Sequence, residues 1–309
     1  MIIPFKAGSG AFGTGTPQEF LQIEARMSEL EDEHRSPLLV ISAFPNMTNL
    51  LEEVWQLAVD INHDEAKELL EDVFDKNRSI GLELMQYRRA KKERKQRMLS
   101  AIEKIRLEAC DVLDSLHPNR MSSPELQNRA KAALLSYGER LAVLVFAEWI
   151  GFKYQVLPLD ARSIVQVSST GPELYTNAAI DWNRSIEAIK ERTGEIKSLL
   201  VANGAPNNKV LWLLEGFIGS ASDGHVATLP REGSDLSEVW AAHAFESPAY
   251  FLKTLKPGLK SMPLRDLAEF QRSLGSHLIG YEAIEAALKY SVPLVIIDVR
   301  TGARYDFAP

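Results

Sequence analysis

The sequence predicts an α/β protein with a mostly parallel β-sheet covered by helices on both faces, plus a helical insertion. Three continuous apolar runs, at residues 37–43, 210–214 and 292–298, suit strands that are buried on both sides. Helical patterns lie between these runs, and such alternation is typical of a three-layer αβα sandwich. Apolar residues at steps of three and four between residues 64 and 150 predict the helical insertion.

The first predicted strand, residues 1–5, leads into a glycine-rich loop. Lys6 follows this strand, and Gly8 and Gly10 come directly after it. Backbone N–H groups exposed by glycines, together with a lysine, can bind phosphate oxygens. A flexible segment explains the same glycines equally well. Thr16 and Pro17 then predict the start of a helix.

The helical insertion contains a basic cluster at residues 88–97. We interpret this cluster as the solvated face of a long helix rather than as a polyanion site, because Glu93 interrupts it. Cys110 lies on the apolar side of the pattern, which favours a core position over a role as nucleophile. Residues 117–119 predict a break, and residues 122–125 predict the cap of a new helix.

Composition limits the partners that we expect for the chain. Lys and Arg number 35 and Asp and Glu number 42, so the formal net charge is −7. A mildly acidic chain has no global attraction for nucleic acid or for an anionic membrane. One cysteine excludes an internal disulfide framework. We find no signal-peptide pattern and no apolar stretch of about 20 residues that would span a bilayer, so we expect a cytoplasmic protein.

Polar side chains follow the predicted strands at places where ligands bind in open α/β sheets. Thr48 and Asn49 come after the first long apolar run. Their hydroxyl and amide groups can bind a carboxylate or a phosphate, but such groups are also typical of a helix cap. Glu139 lies beside Gly138 in a segment that we interpret as a turn, where it can hold an amino group. A surface ion pair is the alternative for Glu139.

The longest polar segment follows the second apolar run and includes Gly219. Arg231 in this segment can clamp a carboxylate through two hydrogen bonds. The backbone N–H groups of Gly233 and Ser234 at a helix N-terminus suit anionic oxygens. Asp235 can orient a lysine or a metal, although Ser-Asp is also an ordinary helix cap. The six histidines of the chain show no spacing that predicts a metal site.

These segments occur in the order found in aspartokinases, and the sequence resembles their catalytic domain over nearly its whole length. Residues 40–51 resemble the VSAMGGVTNLL segment of the family, and residues 135–141 resemble its SFGERLS motif. Residues 159–162 match LDAR. Residues 216–235 resemble GFIG…TTLGRGGSD, and residues 292–295 resemble the last apolar strand. Each motif is short, but five of them in the family's order form a specific pattern.

The resemblance implies the amino-acid kinase fold. It implies an N-terminal amino-acid-binding lobe at residues 1–205, including the helical region 62–148, and a C-terminal nucleotide-binding lobe at residues 206–309. It further implies an enzyme of amino-acid biosynthesis that phosphorylates the carboxylate of aspartate or a related amino acid, giving an acyl phosphate. ATP and Mg²⁺ are the implied cofactors, a small amino acid is the implied ligand, and a homodimer is the implied assembly.

The resemblance also implies roles for single residues, without implying any metal ligand. Lys6 and Asp235 would be catalytic. Arg231 would bind a carboxylate of the substrate, and Glu139 would face its amino group. The residues implied for substrate binding are Thr48, Asn49, Glu139, Arg231 and Ser234. The residues implied for nucleotide binding are Gly8, Gly10, Gly219, Gly233, Thr254 and Gly258.

The chain departs from the family's motifs mainly on the nucleotide side. Pro45-Asn46 stands in place of Gly-Gly, Glu232 in place of a glycine, and Leu255 in place of an aspartate, while residues 275–278 loosely match GAKVL. Two alternatives to a kinase therefore stay open. One is a non-catalytic homologue that binds an amino acid or a partner protein, and the other is an enzyme that reuses the fold without a nucleotide. We expect a catalytic domain without ACT domains.

Overall fold

The computed structural model describes residues 1–30, 36–60, 62–116, 123–168, 175–202, 210–255, 258–273 and 277–309. The strands in these ranges are β1 (Ile2–Ala7), β2 (Ser36–Ile41), β3 (Gln155–Leu159), β4 (Val167–Ser168), β5 (Ala179–Ile180), β6 (Val210–Glu215), β7 (Ile218–Ser220), β8 (Val226–Thr228), β9 (Ala249–Lys253), β10 (Leu294–Asp298) and β11 (Arg304–Phe307). The helices are α1 (Ser9–Phe12), α2 (Pro17–Leu30), α3 (Met47–Val59), α4 (His63–Tyr87), α5 (Lys92–Ser115), α6 (Pro124–Ile150), α7 (Ala161–Ile164), α8 (Trp182–Ala202), α9 (Gly233–Ala244), α10 (Leu264–Ser273) and α11 (Tyr281–Lys289).

The centre of the protein is a seven-stranded sheet with the strand order β11-β10-β9-β1-β2-β6-β3. Every neighbouring pair in this sheet is parallel except β10 and β11, which are antiparallel. The inner strands consist almost entirely of buried residues, and α9 packs on β1, β2 and β9 while α6 packs on β2, β3 and β6. The predicted fold class, a mostly parallel sheet with many helices, is confirmed.

The helical insertion consists of the three helices α4, α5 and α6. The basic cluster spans the connection between α4 and α5, so its interpretation as one solvated helix face is wrong in part. The guanidinium of Arg88 lies 3.9 Å from the ring centre of Trp149, and Arg94 donates to Glu148 at 2.7 Å. Lys91 and Lys92 are exposed as expected. Two of the arginines therefore attach the connection to α6.

The predicted break at residues 117–119 lies outside the described residues, but the new helix after it is confirmed. Ser123 is the N-cap of α6, and its hydroxyl accepts a hydrogen bond from the backbone N–H of Leu126 at 3.3 Å. Cys110 lies in α5 and is half-buried, so it is at the edge of the core rather than inside it. No helix in the described part of the chain is long and apolar enough to cross a membrane.

The central sheet combines strands from both predicted lobes. Strand β6 follows residue 206 in the chain, yet it lies between β2 and β3, which precede that residue. The boundary at residues 205–206 falls outside the described residues. The division into an amino-acid lobe and a nucleotide lobe stays a prediction.

An aromatic cluster fixes the loop after β2 against the helices. The ring centres of Phe44 and Phe12 lie 5.1 Å apart, and those of Phe20 and Phe146 lie 5.7 Å apart. All four side chains are fully buried. Buried aromatic pairs stabilise a fold beyond the area they bury, so this cluster holds the β2 loop rigidly beside α1, α2 and α6.

Candidate active site

A cavity of about 620 Å³ opens at the carboxyl ends of β9, β1 and β2. These three strands are neighbours in the sheet, so the loops that follow them meet at one edge. Eleven of the thirteen predicted site residues, all of which the structure describes, line the cavity. They are Lys6, Gly8, Gly10, Thr48, Asn49, Glu139, Arg231, Gly233, Ser234, Asp235 and Thr254.

The cavity contains a buried cluster of two lysines around one aspartate. Lys6, on β1, forms an ion pair with Asp235, in the first turn of α9. Lys253, the last residue of β9, places its Nζ atom 3.3 Å from both carboxylate oxygens of Asp235. The backbone N–H of Gly280 donates to the same carboxylate at 3.0 Å. Asp235 therefore orients lysines, which is one of the two roles that its sequence context predicted.

Burial and the charges of this cluster shift the pKa values of Asp235 and Lys253. Burial by itself would raise the pKa of Asp235, but Lys253 and Lys6 together with the Gly280 hydrogen bond lower it to about 2. Burial lowers the pKa of Lys253 to about 8, and repulsion from Lys6 adds to this effect while Asp235 opposes it. At neutral pH the cluster holds two positive charges and one negative charge. The excess of positive charge suits an anionic ligand.

The N-terminus of α9 borders the same cluster. The hydroxyl oxygens of Ser234 and Ser42 lie 2.7 Å apart, which connects the start of α9 to the loop after β2. Backbone N–H groups in the first turn of a helix attract anions, and the helix dipole adds to this attraction. The cluster and the helix terminus therefore favour the same kind of ligand.

Glu139 presents a buried carboxyl group to the other side of the cavity. One of its oxygens accepts a hydrogen bond from the backbone N–H of Ala43 at 3.2 Å. Its second oxygen, Oε2, is buried and has no hydrogen-bond partner. Burial raises the pKa of Glu139 to about 8, and the Ala43 hydrogen bond opposes this shift. An unpaired buried oxygen of this kind suits a bound ammonium group.

The interpretation of the Glu139 segment as a turn is wrong. Residues 135–140 lie in the middle of α6. Gly138 is there because the helix passes close to the β2 loop: a Cβ atom on Gly138 would lie 2.9 Å from the Cβ of Ala43. The missing side chain allows a close approach, and this approach brings Glu139 within hydrogen-bonding distance of Ala43.

Arg231 lies at the mouth of the cavity. It is exposed, and its guanidinium donates to the side-chain oxygen of Asn49 at 3.2 Å. Thr48 is half-buried and lines the cavity beside Asn49, at the start of α3. The structure thus brings Thr48, Asn49, Glu139 and Arg231 to one side of the cavity, formed by α3, α6 and the segment before α9.

Two residues that stand in place of family glycines have left-handed backbone conformations. Asn46 has φ 67° and Glu232 has φ 65°. Asparagine adopts this region more readily than most residues, whereas a glutamate there is strained by about 1–2 kcal/mol. The backbone therefore keeps a conformation that favours glycine, although the side chains have changed.

Thr254 connects the loops that follow β9 and β1. Its hydroxyl donates to the backbone oxygen of Gly10 at 2.8 Å, and this contact joins the β9 and β1 loops. Gly219 lies in β7 and Gly258 is exposed, and neither lines the cavity. Their nucleotide-binding roles stay predictions. Parts of two motifs of the sequence analysis lie outside the described residues. They are residues 256–257, after Thr254, and residues 274–276, before residue 277.

Sequence reasoning missed Lys253. The strand that it ends is only five residues long and was not predicted, so nothing placed its side chain in a site. One available signal was the position of Lys253 directly before Thr254, a residue that the resemblance assigned to the nucleotide. Glu52 and Lys131 were also missed; they pair at 2.9 Å and line the same cavity.

The residues of the cavity do not fit a magnesium site built by the protein. Within the described ranges, no group of three or more His, Cys, Asp or Glu side chains is arranged to hold a metal ion. Both oxygens of Asp235 already accept hydrogen bonds, from Lys253 and from Lys6 or Gly280. In kinase sites Mg²⁺ is held mainly by substrate phosphates and water, with only one or two carboxylates from the protein. The implied Mg²⁺ therefore stays a prediction.

The sequence is similar to an aspartate kinase. No family model matches the chain. The aspartate kinase Ask_LysC of Stutzerimonas stutzeri is 27% identical over 179 residues, which are 53% of this chain and 39% of that protein. The matched part thus amounts to less than half of the relative's own length.

Solved aspartokinases share the fold of the chain. Aspartokinase III of E. coli, in complex with lysine and aspartate, has a TM-score of 0.76 at 19% identity. The match covers 99% of this chain and 64% of that one. The same enzyme in complex with aspartate and ADP has a TM-score of 0.72 at 18% identity, and covers 100% of this chain and 65% of that one. The aspartate kinase of Clostridium acetobutylicum has a TM-score of 0.63 at 16% identity, and the match covers 99% of this chain and 63% of that one.

These likenesses agree with the order of the five sequence motifs and with the position of the cavity at the carboxyl ends of the strands. The chain spans a little under two thirds of the solved aspartokinases. The shared fold and the sequence similarity together identify the chain as an aspartokinase-like protein with the amino-acid kinase fold.

Proposed function

We propose that this chain transfers a phosphoryl group from ATP to the side-chain carboxylate of aspartate or a related small amino acid. One observation supports this function most directly. The same cavity contains an unpaired buried carboxyl group, Glu139, and a cluster with excess positive charge, Lys6 with Asp235 and Lys253. An ammonium group and a phosphate group are the ligands that these two features favour.

The amino-acid side would bind the substrate through complementary charges. The free oxygen of Glu139 would accept hydrogen bonds from the α-ammonium group. Arg231, whose guanidinium is exposed at the cavity mouth, would bind the α-carboxylate. Thr48 lines the same cavity and would offer its hydroxyl group to the substrate. Aspartokinase III binds aspartate with the same fold, which is consistent with this arrangement.

The phosphate side would neutralise charge during the transfer. A side-chain carboxylate oxygen of the substrate would attack the γ-phosphorus of ATP, and the bond from phosphorus to the bridging oxygen of the β-phosphate would break. ADP would leave with that electron pair, and no proton transfer is required. Lys6 and the N-terminus of α9 would stabilise the negative charge on the transferring group, so catalysis would consist of positioning and electrostatics.

A hydroxamate assay tests this function. With ATP, magnesium chloride, aspartate and hydroxylamine, the acyl phosphate would be trapped as a hydroxamate in an ATP-dependent manner. Absence of hydroxamate with all common acidic amino acids, together with no thermal shift at millimolar Mg-ATP, would refute the proposal. Stabilisation by an amino acid alone, with no response to nucleotide, would instead indicate a non-catalytic binding protein.

The Arg231→Ala substitution tests the amino-acid side separately. We expect it to abolish the thermal stabilisation by aspartate while the response to ADP is retained, because Arg231 contacts Asn49 on the α3 side. Arg265→Ala is the matched control, since Arg265 is exposed on α10 and does not line the cavity. Equal aspartate responses in the two variants would contradict the assignment of Arg231.

A further inference from the structure

The buried cluster around Asp235 has a second lysine, Lys253, for which the resemblance provides no role. The ammonium group of Lys253 lies 3.3 Å from each oxygen of Asp235, and its side chain is 19% exposed. Lys6, on the neighbouring strand, is paired with the same carboxylate and is 5% exposed. Because β1 and β9 are adjacent and parallel, the two lysines lie near the carboxyl ends of neighbouring strands, at the same edge of the sheet.

One lysine is enough to neutralise the carboxylate of Asp235. Its carboxylate has one negative charge, and it already interacts with Lys6 and with the backbone N–H of Gly280. Among the described residues, no second carboxylate lies within ion-pair distance of Lys253. Glu232 is the other acidic residue that affects the pKa of Lys253, and its side chain is exposed. A largely buried ammonium group without its own counter-ion is costly. A bound anion would remove this cost.

The position of Lys253 favours an anion in the main cavity. Lys253 lines the cavity together with Gly8, Gly10 and the first residues of α9. The next residue, Thr254, donates to the backbone oxygen of Gly10 and thereby fixes the end of β9 beside the glycine-rich loop. The ammonium group therefore shares the cavity with the glycine-rich loop and with the N-terminus of α9, and both kinds of segment favour phosphate oxygens.

We propose that Lys253 is a further catalytic residue, which binds phosphate oxygens of the nucleotide alongside Lys6 and stabilises the charge that develops during transfer. This inference rests on the proposed kinase function. In this arrangement Asp235 acts as a positioning residue, because it holds both ammonium groups at fixed places without contacting the phosphates itself.

A substitution series tests the role of Lys253. Lys253→Met keeps the length of the side chain and removes the charge, Lys253→Arg keeps the charge, and Lys260→Met is a control at an exposed lysine outside the cavity. Calorimetry would measure the affinity for ADP, and the hydroxamate assay would measure kcat and KM for ATP and for aspartate. Melting curves would establish that each variant is folded.

We expect Lys253→Met to lower kcat/KM for ATP by about 100-fold or more, the range found when one charge-stabilising donor is removed. The KM for aspartate should change by less than about threefold, Lys253→Arg should recover part of the activity, and Lys260→Met should behave as the unmodified chain. A purely structural role would instead lower the melting temperature and affect both substrates. Retention of kcat/KM for ATP within about threefold in Lys253→Met would overturn the inference.

Failure of the kinase proposal can be told apart from failure of this inference. If the unmodified chain forms no hydroxamate but binds ADP, the kinase function is wrong, and weaker ADP binding by Lys253→Met still supports the phosphate contact. Equal ADP affinities in the unmodified chain and in Lys253→Met would overturn the inference. If the unmodified chain does not bind ADP at all, both proposals are wrong. Should Lys253→Met not fold, Lys253→Gln takes its place in each comparison.

Discussion

Replacement of Glu139 by glutamine should make the ligand-free protein more stable. Glu139 is 3% exposed in the middle of α6, and its Oε2 atom has no hydrogen-bond partner. Glutamine has nearly the same shape and keeps an oxygen that can accept the hydrogen bond from Ala43. It removes only the ability to ionise. The difference between the two proteins therefore isolates the free energy of holding a carboxylate in this place.

The magnitude follows from the shift of the pKa. Burial raises the pKa of Glu139 from 4.5 to about 8 in the folded protein. Because the folded-state value is raised, the contribution of this group to stability is largest below pH 4.5 and is lost as the pH rises through about 8. At about 1.36 kcal/mol per pKa unit, the ionisation of Glu139 lowers the free energy of unfolding by less than about 1 kcal/mol at pH 5 and by roughly 3 kcal/mol at pH 7, relative to low pH.

Glutamine does not have this pH-dependent cost. Its own amide group is polar and buried, so we expect a gain of about 2–3 kcal/mol at pH 7 rather than the full amount. Urea unfolding at pH 5, 6, 7, 8 and 9 measures the free energy of unfolding of the unmodified chain and of Glu139→Gln. Glu187→Gln is the control, since Glu187 is exposed on α8 and its replacement should leave the pH profile unchanged.

The two proteins should diverge as the pH rises, by about 3–4 kcal/mol between pH 5 and pH 9. Parallel profiles that differ by less than about 0.5 kcal/mol over this range would refute the reasoning, because a solvated or paired Glu139 would show no such difference. Aspartate should stabilise the unmodified chain more than Glu139→Gln, since the neutral amide binds an ammonium group less well than a carboxylate does.

Three further predictions concern the same cavity. Gly138→Ala should destabilise the protein by about 1–3 kcal/mol, because the new Cβ would lie 2.9 Å from the Cβ of Ala43. Urea unfolding measures the loss of stability, and an unchanged midpoint would contradict the close packing of α6 on the β2 loop. Glu232→Gly should stabilise the protein by about 1 kcal/mol by relieving the backbone at φ 65°, and a lower melting temperature in this variant would show that the glutamate side chain is needed instead. If the chain is a kinase, its kcat/KM for ATP should fall as the pH rises through about 8, because the ammonium group of Lys253 loses its proton there. Lys253→Arg should abolish that fall, and an identical fall in both proteins would exclude Lys253 as its source.

The strands and the order of the motifs were predictable because their signals are local. Continuous apolar runs predicted β2, β6 and β10, since a strand buried on both faces has no polar alternation. Strand β9 has only five residues and follows α9 after a short connection, so its pattern could not be separated from its surroundings. Missing β9 meant missing Lys253, the residue for which we propose a contact with phosphate oxygens.

Gly138 shows why a correct residue can be assigned to the wrong structure. Glycine is unfavourable inside a helix and common in turns, so the local sequence favoured a turn. In α6 its cost is offset by the close approach to Ala43, which lies about 95 positions earlier in the chain. Only the packing of α6 against the β2 loop distinguishes these two uses of a glycine.

By itself, the sequence determined the fold class and eleven of the residues that line the cavity, because buried strands and ordered motifs leave local patterns. The tertiary structure alone decided the partners of those residues. Lys6 and Asp235 are 229 positions apart in the chain, and the ion pair between them exists only because β1 and the start of α9 meet at one sheet edge. Charge and pKa depend on distance and burial in space, so the addition of Lys253 to this pair and the unpaired oxygen of Glu139 could be found only there.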